Sequence, residues 1–117
     1  MQQRLLNDLQ DAGNSIEKFV IRMGGNETFV LMMMKKFLND PTFVKLQNSL
    51  KVFDYEEIEN SAHTLKGVAL NLGFDSLSEH CKELQSAAKN KNQLLVRKCN
   101  KDVRCEYEKI VSMIQEE

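Results

Sequence analysis

Apolar residues recur at intervals of three and four along most of the chain, which is the spacing of amphipathic helices. The first such segment covers residues 5–12, and Gly13 follows it as a C-terminal glycine would. A second short helix is predicted to begin within residues 14–15 and to end at the glycine pair 24–25. Asn26 is then placed to cap a third helix.

The pattern continues in longer segments through the second half of the chain. The Asp-Pro pair at 40–41 interrupts it, so a kink or a capped restart is expected there. Residues 54–57 place a capping Asp three positions before a Glu, which predicts a helix running to position 73. Residues 76–79 repeat this arrangement with Ser and Glu, and a last amphipathic segment runs to the acidic C-terminal end.

These segments predict an all-α fold, an antiparallel four-helix bundle with one or two short N-terminal helices. A length of 117 residues corresponds to one domain. Five Gly and one Pro are too few for the many reversals of a β-sandwich or barrel. We interpret residues 1–14 as a short helical extension and residues 15–117 as the bundle.

The charge balance argues against two classes of partner. The formal net charge is -1, so the chain offers no broad attraction to nucleic acid or to an anionic membrane. The longest apolar run, residues 29–34, is far too short to span a bilayer, and no secretory signal is evident. We therefore expect a cytoplasmic protein. A single apolar stripe on each helix makes a monomer the default expectation.

Three cysteines bear on redox state and metal binding. Cys81, Cys99 and Cys105 are odd in number and form no C-x-x-C motif, so neither a disulfide framework nor a zinc site is predicted. We interpret them as reduced and mostly buried thiols. No metal site is expected elsewhere in the chain, because the Glu-x-x-His repeats of a di-iron bundle are missing from the sequence.

One surface of the helix predicted after Asp54 carries candidate chemistry. On a helical wheel its apolar residues point in one direction, and His63 falls about 140° away from that direction. His63 is therefore predicted to face water. Lys66 and Gly67, three and four positions further on, share its face. Leu70 is predicted to be an exposed apolar residue beside them.

Gly67 makes this surface more informative than a lone histidine would be. A glycine inside a helix costs about 1 kcal/mol relative to Ala, and no core packing on this face requires a small residue. The missing side chain is explained if another molecule must approach. Lys66 can then reach a phosphoryl group, although by itself it is equally a solvated lysine, and Leu70 becomes a docking contact.

Residues 63–73, HTLKGVALNLG, closely resemble the H-x-L-K-G-x-A-x-x-L-G motif of histidine-containing phosphotransfer (HPt) domains. The resemblance extends upstream through residues 24–27 and 37–41, and downstream to Leu77, Cys81, Leu84 and Gln85, so that it covers most of residues 15–115. It implies a phosphorelay domain whose His63 accepts a phosphoryl group from a receiver aspartate and passes it to another receiver.

The resemblance also implies roles for the neighbouring residues and partners. Lys66 would add positive charge near the phosphoryl oxygens, and Gly67 and Leu70 would belong to the docking surface. The implied partners are response-regulator receivers, which would supply the Mg²⁺, and a sensor or hybrid histidine kinase. The chain itself would be a phosphocarrier without cofactor and not an enzyme, and the sequence contains neither G-x-x-x-x-G-K-[ST] nor G-x-G-x-x-G.

Three further polar residues lie on the helix predicted next. Gln85 occupies the position where similar domains place a Gln or Glu beside the imidazole, and the alternative is a polar residue at a helix boundary. Lys82 is a candidate docking residue together with Gly67 and Leu70, although it faces either the same patch or water. His80 lies nearer the apolar stripe and lacks the Lys-Gly companions, so it is the poorer phosphate acceptor.

Other functional interpretations remain open from the sequence. The chain could be a helical adaptor that docks receivers without carrying phosphate, or the substrate domain of a chemotaxis-type histidine kinase. A metal-binding bundle is a weaker alternative. The sequence does not identify the upstream kinase, the receivers, the direction of transfer, or whether the domain is part of a hybrid kinase.

Overall fold

The computed structural model describes residues 2–116, and all regular secondary structure in that range is α-helical. The predicted all-α class is therefore confirmed. The helices are α1 (Gln2–Asp11), α2 (Ile16–Arg22), α3 (Glu27–Phe37), α4 (Thr42–Lys51), α5 (Tyr55–Asn71), α6 (Asp75–Lys89) and α7 (Gln93–Gln115). None of the helices in residues 2–116 is both long enough and apolar enough to cross a membrane.

Asparagine or aspartate side chains cap three of these helices. The Asn26 side chain accepts a hydrogen bond from the backbone N–H of Phe29 at 3.0 Å, and Asp54 accepts one from Glu57 at 3.2 Å. Both predicted caps are confirmed. Asn92 caps α7 in the same way. Each cap satisfies a backbone donor that the first turn of a helix leaves without a partner.

The predicted capping box at Ser76 and Glu79 is wrong. Helix α6 already begins at Asp75, and its N-cap position is Phe74, which has no capping side chain. The Asp75 carboxylate instead accepts a hydrogen bond from the hydroxyl of Ser15. The start of α6 therefore coincides with a tertiary contact to the segment before α2, and the local Ser-to-Glu spacing does not mark it.

The chain restarts its helix after the Asp-Pro pair. Helix α3 ends at Phe37 and α4 begins at Thr42. Between them the Asp40 carboxylate accepts a hydrogen bond from the Thr42 N–H at 2.8 Å. Of the two outcomes expected at Pro41, the structure has the restart, because the side chain of Asp40 supplies the acceptor that the new first turn needs.

Helices α4 to α7 pack against one another in chain order. Helices α4 and α7 also meet directly: the rings of Phe43 and Tyr107 stack at 3.8 Å, and Gln47 and Asn100 exchange two amide hydrogen bonds of 2.9 and 3.1 Å. One continuous hydrophobic core lies between these helices. This arrangement holds α5 beside α6, which is what positions the candidate site.

The three N-terminal helices add their apolar residues to the same core. The buried residues they contribute are Leu5, Leu6, Leu9, Ile16, Phe19, Val30, Leu31, Met34 and Phe37. Helix α1 contacts both α2 and α7. Burying this apolar surface stabilises the folded state of the whole chain. The division at residue 14 stays a prediction, and Met1 and Glu117 lie outside the described residues.

Two of the three cysteines are buried. Cys81 and Cys99 lie in the core and Cys105 is exposed, and all three are free thiols. The interpretation as reduced and mostly buried thiols agrees with this. Burial raises the pKa of Cys81 to about 12, since the thiolate would lose its hydration.

Candidate functional site

Helix α5 has one buried face and one exposed face, as its sequence predicts. The core-facing residues Ile58, Ala62, Leu65 and Ala69 are almost completely buried. His63 is exposed on the other side, in the middle of the helix. Leu70, seven residues further along, is 54% exposed and lies on the same side. The predicted outward orientation of His63 is confirmed.

Gly67 leaves open space one turn from His63. A Cβ added at Gly67 would meet no atom within 4 Å, and the helix continues through this position without a break. Neither close packing nor a special backbone angle therefore requires glycine here. The residue lowers helix propensity by about 1 kcal/mol relative to Ala, and it keeps the surface beside the imidazole free of side-chain atoms.

Lys66 lies at the seam between α5 and α6. Its side chain is half-buried, unlike that of His63. The Lys66 ammonium opposes the burial effect on the pKa of Cys81, a residue of α6. The charge of Lys66 is therefore close enough to α6 to act on a residue of that helix. From there it adds a positive potential to the edge of the His63 surface.

The two residues predicted on α6 have different surroundings. Gln85 is half-buried and lies one helical turn after Cys81, whereas Lys82 is exposed. Among the hydrogen bonds of residues 2–116, none joins Gln85 to His63. The structure places Gln85 on the helix that packs most extensively against α5, but its role as orienter of the ring stays a prediction.

His80 differs from His63 in accessibility. Its side chain is half-buried, and its Nδ1 atom is buried without a hydrogen-bond partner. A nucleophile that must meet a second protein needs an exposed ring nitrogen with room around it. His63 meets this requirement, and His80 meets it less well.

A shallow depression adjoins this surface. It has a volume of about 460 Å³ and is lined by Arg22, Gly67, Val68, Leu70 and Asn71. Arg22 belongs to α2, and its guanidinium donates a hydrogen bond to the backbone carbonyl of Asn71. Sequence reasoning did not identify Arg22, because a contact across 49 residues leaves no signal in the local pattern.

The site can act through the imidazole of His63. An exposed imidazole nitrogen can attack an activated phosphoryl group and can later release it. No group of three or more His, Cys, Asp or Glu side chains in residues 2–116 is arranged to hold a metal ion. The described residues offer a nucleophile, the imidazole of His63, with Lys66 and the open space at Gly67 beside it.

A comparison with protein families agrees with this geometry. The model of the Hpt domain matches residues 38–116, which is more than half of the chain and includes α4 to α7 with His63. The chain therefore belongs to the Hpt domain family. The residues of α1 to α3 precede the matched segment. Searches of curated proteins and of solved structures found no match.

Proposed function

We propose that this chain is a phosphorelay intermediate in which His63 accepts a phosphoryl group from a receiver aspartate and passes it to a second receiver. Membership of the Hpt family supports phosphotransfer in general. The observation that carries the assignment to His63 is its exposure beside Gly67, whose outer side is open. A receiver can bring its aspartyl phosphate to the ring there without meeting a side chain from position 67.

The transfer forms one bond and breaks one bond. The unprotonated ring nitrogen of His63 attacks phosphorus, the N–P bond forms, and the P–O bond to the receiver carboxyl breaks. The aspartate leaves as a carboxylate with the electron pair, and the proton on the other ring nitrogen stays in place. Transfer to the second receiver reverses these steps, with the imidazole as the leaving group.

Nearby side chains assist this step in the proposal. Lys66 lowers the energy of the phosphoryl oxygens through its positive charge, acting from the α6 side. The side-chain oxygen of Gln85 accepts a hydrogen bond from the ring N–H of His63 and so fixes the orientation of the ring. Leu70 and Lys82 belong with Gly67 to the surface on which the receiver docks.

The proposal includes the setting of the reaction. Helices α4 to α7 form the antiparallel four-helix bundle, and the chain acts as a cytoplasmic monomer and a phosphocarrier, not an enzyme. It needs no cofactor of its own, because the receiver supplies the aspartate and its Mg²⁺. A sensor or hybrid histidine kinase provides the phosphoryl group upstream.

A single substitution tests the site. The wild-type chain, His63→Gln and His80→Gln are incubated with a panel of receivers phosphorylated with ³²P, and label that is stable to alkali and labile to acid is measured on each. We expect label on wild type and on His80→Gln, and none on His63→Gln. His80→Gln is the matched control because it removes the other histidine of the chain.

Each alternative function gives a different result in this experiment. Equal label on His63→Gln would overturn the site assignment. A wild-type chain that binds a receiver but never takes up label would support the helical adaptor. Label taken up only from an ATP-dependent kinase, and from no receiver, would support the substrate domain of a chemotaxis-type kinase.

A further inference from the structure

Arg22 is an exposed cation that the fold holds in one place. Its guanidinium donates a hydrogen bond to the carbonyl of Asn71 at the end of α5, and it lies 5.4 Å from the centre of the Phe19 ring. Both contacts restrict the side chain. Neither of the two ion pairs found in residues 2–116 involves Arg22, so its charge is free for another carboxylate.

The surroundings of Arg22 combine charge with apolar surface. Of the five described residues that line the depression, Arg22 alone is charged. Leu70 contributes an exposed apolar side chain to the same depression. A partner with an acidic side chain next to an apolar one would match this combination, because the carboxylate and the apolar group would each find a complementary contact.

The depression lies within reach of any protein that docks on His63. Asn71 lies eight positions after His63 in the helix, which corresponds to about 12 Å along the axis. A typical protein interface buries about 800 Å² on each partner, equivalent to a disc of about 16 Å radius. A receiver centred on the imidazole can therefore reach the end of α5, where the Arg22 guanidinium is hydrogen-bonded to the Asn71 carbonyl.

We propose that Arg22 is a specificity-determining contact of the receiver-docking surface, where it pairs with a carboxylate of the receiver while an apolar receiver side chain packs on Leu70. This inference rests on the proposed function. Arg22 lies before the segment that the family model matches. Helix α2 therefore contributes to the docking surface a means of choosing among receivers.

The test compares three variants in transfer from a phosphorylated receiver. Arg22→Gln keeps a donor for the Asn71 carbonyl but removes the charge, and Arg22→Lys keeps the charge. Lys101→Gln is the matched control, since it removes an exposed cation that lines a separate cleft between α4 and α7. The second-order rate of transfer is measured at low salt and near 1 M salt, and thermal unfolding is followed for each variant.

We expect Arg22→Gln to slow transfer about threefold to tenfold at low salt, as loss of a charge at an interface rim does. Arg22→Lys and Lys101→Gln should stay near the wild-type rate. The difference should disappear near 1 M salt, where the Debye length is about 3 Å. A purely structural role of Arg22 would not produce this dependence on salt.

Chemical labelling separates this inference from the proposed function. Phosphoramidate is a small donor that does not need the docking surface, so it should label His63 equally in wild type and in Arg22→Gln. If receivers label the wild type and Arg22→Gln at the same rate at low salt, the docking role is overturned and the phosphorelay function stands. If no receiver of the panel labels the wild type, both proposals fail.

Discussion

The outer face of α5 at Gly67 and the turn after α5 at Gly73 use the same residue for opposite reasons. Gly67 has ordinary helical geometry, and a Cβ added there would meet nothing within 4 Å. Gly73 has a φ of +79°, and a Cβ there would lie 2.7 Å from the carbonyl oxygen of Ser15. The Gly73 carbonyl also accepts a hydrogen bond of 2.9 Å from the Ser15 N–H.

This comparison separates Gly73, a glycine that the fold requires, from Gly67, a glycine that the fold does not require. At Gly73 the left-handed backbone and the close approach of the segment before α2 both exclude a side chain. At Gly67 nothing among residues 2–116 does so, although the glycine lowers helix stability. The open space at Gly67, one turn from the exposed imidazole, fits the proposal that a receiver approaches this face of α5.

The largest effect is expected from Gly73→Ala, on the stability of the fold. The left-handed φ and the overlap with the Ser15 carbonyl should together lower the free energy of unfolding by about 2–4 kcal/mol. Urea denaturation of wild type and variant measures this difference. The backbone oxygen cannot move away cheaply, because Ser15 is hydrogen-bonded both to Gly73 and to Asp75.

Gly24→Ala is the matched control for this prediction. Gly24 also has a positive φ, +73°, but a Cβ there would meet nothing within 4 Å. Its substitution should cost only the backbone strain, about 1–2 kcal/mol. If Gly73→Ala destabilises the protein no more than Gly24→Ala, close packing against Ser15 does not explain the glycine at position 73.

Gly67→Gln should have the opposite effect on stability and should slow phosphotransfer. The free energy of unfolding should rise by up to about 1 kcal/mol, because Gln has a much higher helix propensity than Gly. The rate of phosphotransfer from a receiver should fall about tenfold to a hundredfold, since a displacement of about 1 Å at the reacting atoms has an effect of this size. Denaturation and transfer kinetics on the same sample measure both quantities.

The control for Gly67→Gln is Ser112→Gln, which enlarges an exposed side chain on α7. It should leave transfer unchanged. A Gly67→Gln variant that transfers at the wild-type rate would remove the argument that this glycine provides clearance. The comparison with Gly73 would then no longer indicate a functional role for Gly67.

Local patterns predicted the parts of this molecule that depend on local physics. The caps at Asn26 and Asp54 follow from side-chain oxygens next to unpaired N–H groups, and the orientation of His63 follows from the helical period. These features need no knowledge of distant residues, and the structure agrees with them. The motif around His63 could be located from the sequence for the same reason.

Features that depend on tertiary contacts could not be predicted from local sequence patterns. Helix α6 begins at Asp75 and not after a cap at Ser76, and at Asp75 a side-chain contact comes from Ser15, far away in the chain. Arg22 joins the depression beside Gly67 only because α2 packs against the end of α5. The direction of the Lys66 side chain depends on how α5 packs against α6. Helical periodicity contains no information about that direction.

The smallest effect is expected at Lys66, the neighbour of Gly67 in the sequence. Its charge lies near α6 and is partly exposed to water. It therefore stabilises the transition state of transfer by about 1 kcal/mol at most. Lys66→Ala should accordingly slow transfer about twofold to fivefold. Lys66→Arg, which keeps the charge, should be close to wild type. Transfer kinetics from a phosphorylated receiver measure both variants.

Lys89→Ala provides the control, because it removes an exposed lysine from the far end of α6. A hundredfold loss in Lys66→Ala would mean that the ammonium binds the phosphoryl oxygens directly when the receiver docks. A rate equal to that of Lys89→Ala would mean that Lys66 has no electrostatic role. Open space at Gly67, and not charge, would then be what distinguishes this face of α5.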